Sequence, residues 1–499
     1  MPPYRADEVG RVGFGAAAAA LTAHGCAPIA TILTTASRVL SVPVATVTVA
    51  LGLAACTVGP AYRRPSVRTP SSWVNSTGEA HAAWPSADWW RSFGSPQLDE
   101  LIGEAESAND DIGAAIARVH ETEAQVMVAT APLLPALGAG ATAERQRSFI
   151  PLPGGGTLTY NDFVPELSAS YELDFWGKNR ATRAAAVAAA DASRYDRVTV
   201  ELTVETSVAT TYFTALELQD QLRIAQDNLA SAEETLRGLT TDETVGTTTS
   251  LDVAQQAAEV ATLSAGIPPL EQQLQQAVDA LAILVGKTPQ TFKLPPGTLA
   301  GISQPGLAPG LPSGLLARRP DVAEAEAQLV AANADIQVAR ATFFPSIDLT
   351  AGGGYESTAL ATLLEPGSRI FSLAAGLTQP IFQGGAILGQ YRLSKARYAE
   401  LLADYHKTVI SAFGNVEDAL TAVRDTGDQQ QRQQIAVDAA RHAYELSQSQ
   451  FHAGTVNILT VLSTETALFA AESTFAQVRL ARLQALVGLF NALGGGWQR

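Results

Sequence analysis

Cysteine is nearly absent: the 499 residues contain two, Cys26 and Cys56, both near the N-terminal end. The body of the chain therefore has neither a disulfide framework nor a cysteine-based metal site. Charge is scarce as well, with Asp, Glu, Lys and Arg at 16% and a formal balance of -16. A surface of that sign repels polyanions, which excludes nucleic acid as a partner. The six histidines are scattered, and no GxxxxGK[ST], HExxH or GxSxG occurs. The glycine runs 154–156 and 352–354 sit in or beside strand segments and open no helix. No catalytic, metal or cofactor constellation can be assembled, so the chain reads as a non-enzyme.

What the N-terminal part does have is an uncharged run, Val39 to Ala55, preceded by Arg38. It reads as the apolar region of a secretory signal and is too short for a comfortable membrane span. It ends in Leu53-Ala54-Ala55-Cys56, which resembles the bacterial lipobox, whose cysteine is acylated and becomes the first residue of the mature chain. Thr57 follows in place of Asp, which by analogy implies delivery to the outer membrane. Cys26 has no apolar run before it and reads as inert. The division expected here is a signal peptide with a long leading region over 1–55 and a lipidated, Pro-rich tether over 56–95.

The rest repeats once, at a spacing of 206 to 210 residues. Asp111 to Pro135 aligns with Asp321 to Pro345, Phe175-Trp176-Gly177 with Ile381-Phe382-Gln383-Gly384, Val245-Gly246-Thr247 with Ala453-Gly454-Thr455, and Gly286 with Gly494. Each copy runs helix, strand, strand, long helix, turn, helix, over 96–286 and 314–494, joined by a Pro/Gly-rich linker over 287–313 and closed by a tail over 495–499.

After each repeat's proline come two stretches of period two, the mark of strands whose faces see different surroundings. Phe163, Pro165, Leu167, Ala169, Tyr171, Leu173 and Phe175 alternate with Asp162, Glu166, Ser168, Ser170, Glu172 and Asp174. Ile347 to Tyr355 and Phe371 to Leu377 alternate likewise, and Ala136 to Ser148 does so more weakly. These runs have about the 9–11 residues with which tilted strands cross a bilayer. Four strands cannot close a barrel, and an open edge in lipid costs several kcal/mol per unpaired group, so strands in a membrane require more than one copy. A soluble sheet packed on helices is the other reading of the same alternation.

Gly177 to about Thr241 has no proline and predicts one helix, or two stacked, of roughly 95 Å. Leu222, Ala225, Leu229, Ala232, Leu236 and Leu239 follow coiled-coil spacing, as do Leu270, Leu274, Ala277, Leu281 and Leu284. Turns at Gly246 and Gly454 fold each copy into an antiparallel hairpin, and Ile267-Pro268-Pro269 predicts a kink or break in the first returning helix.

Together these residues resemble the TolC-type outer-membrane efflux factors, most closely their lipoprotein branch, the NodT subgroup. The resemblance rests on the lipobox, Arg318-Arg319-Pro320-Asp321, Ala339-Arg340 with Phe343-Phe344-Pro345-Ser346, Gln379-Pro380-Ile381-Phe382-Gln383-Gly384-Gly385 and the paired tip turns, in order from Cys56 to Trp497. It implies a mainly α fold with membrane β: a homotrimer in which three sets of four strands close a twelve-stranded barrel and the paired hairpins form a periplasmic α-barrel. It further implies a lipid-anchored outer-membrane exit duct of a Gram-negative bacterium, with covalent lipid on Cys56 and no cofactor. The partners it implies are a periplasmic membrane-fusion adaptor and an inner-membrane transporter of the resistance-nodulation-division, major-facilitator or ATP-binding-cassette type, exporting drugs or other toxic solutes. A lipid-anchored coiled-coil scaffold, or the same fold used for polypeptide secretion, are the alternatives.

For individual residues, the resemblance implies adaptor docking at Val245, Gly246 and Thr247 and at Ala453, Gly454 and Thr455, although turn chemistry alone explains the glycines. The family often closes its tips with aspartate rings. Asp252 fits that pattern, but the second copy has Thr460 and Ser463 in the matching positions, with Glu465 as the nearest carboxylate. Asp252 reads equally well as a helix-start residue. The strand acids Asp162, Glu166, Glu172, Asp174 and Asp348 would line the pore. Trp176 and Phe382 fit either interface aromatics or core.

Overall fold

In each copy, a short helix leads into a strand pair, and a long helix carries the chain away to a turn and a returning helix. The first copy comprises α1 (Pro96–Ala108), α2 (Asp110–Thr130), β1 (Ala136–Ile150), β2 (Gly156–Glu172), α3 (Lys178–Thr244) and α4 (Ser250–Leu284). The second comprises α5 (Pro320–Ala341), β3 (Ser346–Tyr355), β4 (Arg369–Thr378), α6 (Ala386–His452) and α7 (Ile458–Ala492). The structure, a computed structural model, describes residues 58–74, 84–150, 156–306, 310 and 312–498. Cys26, Cys56 and the signal segment lie outside the described residues.

Both long helices have 67 residues and both returning helices 35. Each long helix is unbroken and spans about 100 Å at 1.5 Å per residue. Leu222, Ala225, Leu229, Ala232, Leu236 and Leu239 are all buried or half-buried, as are the heptad positions of α4. The break expected at Pro268-Pro269 does not occur: α4 runs through both prolines. Each proline removes one ladder hydrogen bond, but the carbonyls left over belong to Ser264 and Ala265 on the exposed side, where water can satisfy them.

The strands form one antiparallel sheet in the order β1-β2-β3-β4. β1 and β2 have 15 and 17 residues, longer than expected, whereas β3 and β4 have 10. The reason is in the register: β2 pairs with β3 only from Glu166↔Gly354 to Glu172↔Asp348, while it pairs with β1 from Ala136↔Ser170 to Ile150↔Gly156. The first strand pair therefore projects beyond the second.

The main core lies where the returning helices end, around Trp89, Phe93, Phe213, Leu216, Leu281 and Phe490. Here the two repeats show why Gly286 and Gly494 were landmarks. Asn109 caps α2 through Asp111 and Ile112 N–H and donates its Nδ2 to the Leu284 carbonyl at 2.9 Å, so α2 stacks on the end of α4. Arg319 ahead of α5 donates to the Ala492 carbonyl at 3.1 Å while gripping Asp321 with Nε and Nη2, so α5 stacks on α7.

Candidate functional site: a two-faced sheet and paired hairpin tips

Directly opposed residues share a face, and the pairing collects one kind of chemistry on each. Leu137↔Ala169, Ala139↔Leu167, Leu167↔Gly353↔Phe371, Ala169↔Ala351↔Leu373 and Tyr171↔Leu349↔Ala375 make one face apolar. Leu137, Leu167, Phe371 and Leu373 are 84, 68, 85 and 78% exposed. Large side chains left bare in a continuous band mark a surface that meets lipid or another protein. The opposite face is polar and small: Ser168↔Gly352↔Ser372 and Ser170↔Thr350↔Ala374 lie between tiers of acids. Glu144 stands opposite Asp162, and Glu172 opposite Asp348, with Glu166 between.

Four of the five strand acids identified in the sequence thus lie on one face. Asp174 does not belong with them: it lies past the end of β2, and its carboxylate accepts the N–H groups of Asn179 and Arg180 and the Arg180 Nε at 3.1 Å. It caps α3, whose N-cap residue Gly177 is left-handed and has no side chain to do so. Glu172 is paired with the Lys178 Nζ at 2.8 Å. Trp176 donates to the Pro345 carbonyl and stacks on Phe344 at 4.6 Å, whereas Phe382 is 86% exposed, so the two junction aromatics are not equivalent.

At the far ends the two tips have the same turn. Gly246 and Gly454 have φ of +80° and +71°. Thr247 returns both its N–H and its hydroxyl to the Asp242 carbonyl, and Thr455 does the same to Gln450. That closes the orphan carbonyls of α3 and α6 and fixes where each hairpin turns. Val245 and Ala453 end their helices just before the glycines and are exposed.

The first turn beyond each tip decides what Asp252 is engaged in. Its Oδ2 accepts from Thr249 N–H at 3.1 Å, Thr249 Oγ1 at 2.6 Å and Thr248 Oγ1 at 3.1 Å, and Thr249 Oγ1 accepts in return from Asp252 N–H. This is a capping box, and its hydrogen bonds hold the carboxyl below the usual range. Thr460 in the matching place donates its N–H and hydroxyl to Asn457 Oδ1, so Asn457, and not the residue matching Asp252, caps α7. Ser463 is exposed, and among the described residues no hydrogen bond or ion pair links it or Thr460 to Asp252. Glu465 is buried, accepts from the Tyr444 hydroxyl at 3.4 Å, and is pushed up by burial.

Sequence reasoning missed two features. Residues 58–74 form a strap along α5 and α6: the Pro60 carbonyl accepts from Asn333 and Gln337, Arg64 pairs with Glu326 at 3.1 Å, and Trp73 Nε1 donates to the Gly310 carbonyl. The other is Glu205, which accepts from Trp89 Nε1 at 3.2 Å in the main core and is pushed to about 8, first by burial and then by Glu106 and Glu201. The folded chain therefore holds a proton that the unfolded chain has lost, so stability falls as pH rises from the ordinary carboxylate range to about 8. Glu205→Gln is expected to flatten that slope and to raise stability above pH 8 by on the order of 2 kcal/mol, read from unfolding midpoints across pH.

A family model described as outer membrane efflux protein matches residues 101–287 and 311–495. The chain is 41% identical over 453 residues to the pyoverdine export outer membrane protein OpmQ of Pseudomonas aeruginosa, covering 89% of this chain and 95% of that protein. It is 32% identical over 453 residues to the probable outer membrane lipoprotein SilC of Salmonella typhimurium, covering 89 and 96%. The fold matches the crystal structure of the Campylobacter jejuni CmeC outer membrane channel with a TM-score of 0.84 at 25% identity, covering 89 and 96%.

Proposed function

The chain belongs to the outer membrane efflux protein family, and from that premise we propose that three copies close one exit duct, lipid-anchored through Cys56, which passively conducts small molecules delivered by a periplasmic adaptor and an inner-membrane transporter. The observation that carries this reading is the sheet: its faces are chemically opposite, and its outer strands β1 and β4 each have one edge unpaired among the described residues. In lipid those edges cost several kcal/mol per group until another copy pairs with them. Three sheets joined edge to edge put the apolar faces against lipid and Glu144, Asp162, Glu166, Glu172 and Asp348 around the lumen. A coiled-coil scaffold has no use for such a sheet. Kinship with a pyoverdine exporter supports a small-molecule cargo over a polypeptide.

The strap supports the anchor. Pro60 sits one turn before α5 ends, beside the strands, and Arg64 lies farther from them. The described part of the strap thus begins at the strand end of α5, the height at which an anchor beside the sheet is needed. Cys56→Ala is expected to shift the protein out of the outer-membrane fraction while its oligomer survives; an unchanged distribution in fractionated cells would count against lipidation.

The tips face the adaptor in this reading. Gly454→Val forces a β-branched residue into φ +71°, a strain of about 1–3 kcal/mol confined to the turn. Solute export is expected to fall severalfold with the oligomer intact, and undiminished export would remove the tips from docking. The assembly itself is tested by light scattering of the detergent-extracted protein: three copies are expected, and a monomer released without detergent after delipidation would sink the duct.

A further inference from the structure

The sheet register sorts the charges of the strands by sign. The apolar face carries Arg145, Arg147 and Arg369 and no acid, whereas the lumenal face carries five acids and no base. All three arginines stand at the loop end of the sheet, away from the helices. Arg369 opens β4 opposite Tyr355, two residues before Phe371. Arg145 and Arg147 follow Ala143 on β1, in the part of the first strand pair that extends beyond β3. All three are exposed, and among the described residues none is paired with an acid. Both Nε and Nη2 of Arg147 donate to Thr157 Oγ1, at 3.1 and 3.0 Å, so this guanidinium lies along the sheet face.

Below them the apolar band from Leu137 to Ala143 runs about 20 Å along the strand. An arginine at the middle of such a band costs about 2–4 kcal/mol, falling to about 0–1 near its rim. Tolerance at the rim explains why charge begins there; it does not explain why every charge there is a guanidinium, since carboxylates are tolerated at least as well. A one-signed ring at that height has a use if the surrounding headgroups are anionic, and the planar guanidinium fork matches phosphate in particular.

We propose that Arg145, Arg147 and Arg369, repeated in each copy, form a collar that binds the phosphate groups of glycolipid headgroups in the leaflet surrounding the loop end of the barrel. The collar rests on the barrel reading given above. It would fix the barrel's height by attraction at the loop end, opposite the end held by the acyl chains of Cys56.

The test uses the full-length protein, extracted in mild detergent, with native mass spectrometry counting retained lipids. The probes are bisphosphorylated lipid A, its dephosphorylated counterpart and phosphatidylglycerol. The wild type is expected to retain the bisphosphorylated glycolipid about tenfold more than the dephosphorylated form. Arg145→Gln with Arg147→Gln and Arg369→Gln should bring retention down to the dephosphorylated level, while Arg237→Gln on α3 leaves it unchanged. Should the triple variant not assemble, as read by its heat-modifiable band, the two glycolipids on the wild type decide alone. Equal retention of both, or undiminished retention by an assembled triple variant, overturns the collar. Phosphatidylglycerol held as tightly as lipid A overturns the assignment to glycolipid. A protein that needs no detergent fails the barrel reading instead, a separate result.

Discussion

Leu373→Arg is expected to deplete the assembled oligomer from the outer membrane at least about tenfold, whereas Ser372→Arg, one residue away, leaves most of it in place. Leu373 is 78% exposed in the middle of the apolar face, level with Ala351 and Ala169. A guanidinium at that depth costs about 2–4 kcal/mol per copy, and a closed barrel carries the cost once per subunit. Ser372 points the other way, beside Gly352 and within reach of Glu166, where an arginine finds water and an acid. The measurement is the heat-modifiable oligomer band from fractionated membranes for both variants. A soluble sheet would show no such contrast between neighbours, and equal yields would reject lipid contact for this face.

The second large effect is expected at Gly494→Ala. Gly494 ends α7 with φ +89°, and a Cβ there would stand 1.9 Å from the Arg318 carbonyl oxygen. Backbone strain costs about 1–3 kcal/mol for a non-glycine residue, and the clash adds to it because the neighbour is main chain and cannot rotate away. Gly286, its counterpart in the first repeat, has φ +70° and meets the Ala108 carbonyl oxygen at 2.3 Å. Either substitution is expected to lower the unfolding midpoint by several degrees, and Gly306→Ala, with nothing within 4 Å, by almost nothing. If Gly494→Ala behaves like Gly306→Ala, the helix-stacking junction does not depend on a missing side chain.

Much of this was legible in the residues, for physical reasons that differ by element. The alternation in Asp162 to Glu172 predicts the faces of β2 because side-chain direction follows period two whatever surrounds the strand. Its length was not legible: only pairing shows that β2 extends back to Gly156, where the partner is β1 alone. Asp174 continues the alternation in sequence, yet the strand has ended and an uncapped helix claims the carboxylate. Pro268 and Pro269 predict a break from lost donors, but the exposure of the freed carbonyls, which lowers that cost, is a tertiary fact. The tip glycines were visible from spacing, and so was Asp252; its capping role required the geometry of Thr248 and Thr249. Glu205 carries no local signal, since its burial depends on Trp89, 116 residues away.

The seam between β2 and β3 has a consequence in time. It pairs Glu166 with Gly354, a separation of 354 − 166 = 188 residues, with a whole helical hairpin between them. Contacts that distant in sequence form late, after local ones, because closing so long a loop is entropically costly. As the chain emerges, α3 and α4 can zip together unaided, while β1 and β2 must wait as an isolated ribbon for the second repeat to arrive. Two-stranded ribbons are marginal in water. A chain halted after its first repeat would thus carry a paired helical hairpin and an unfinished sheet. Until β3 arrives, the edge of β2 that it will occupy stands open over Glu166 to Glu172.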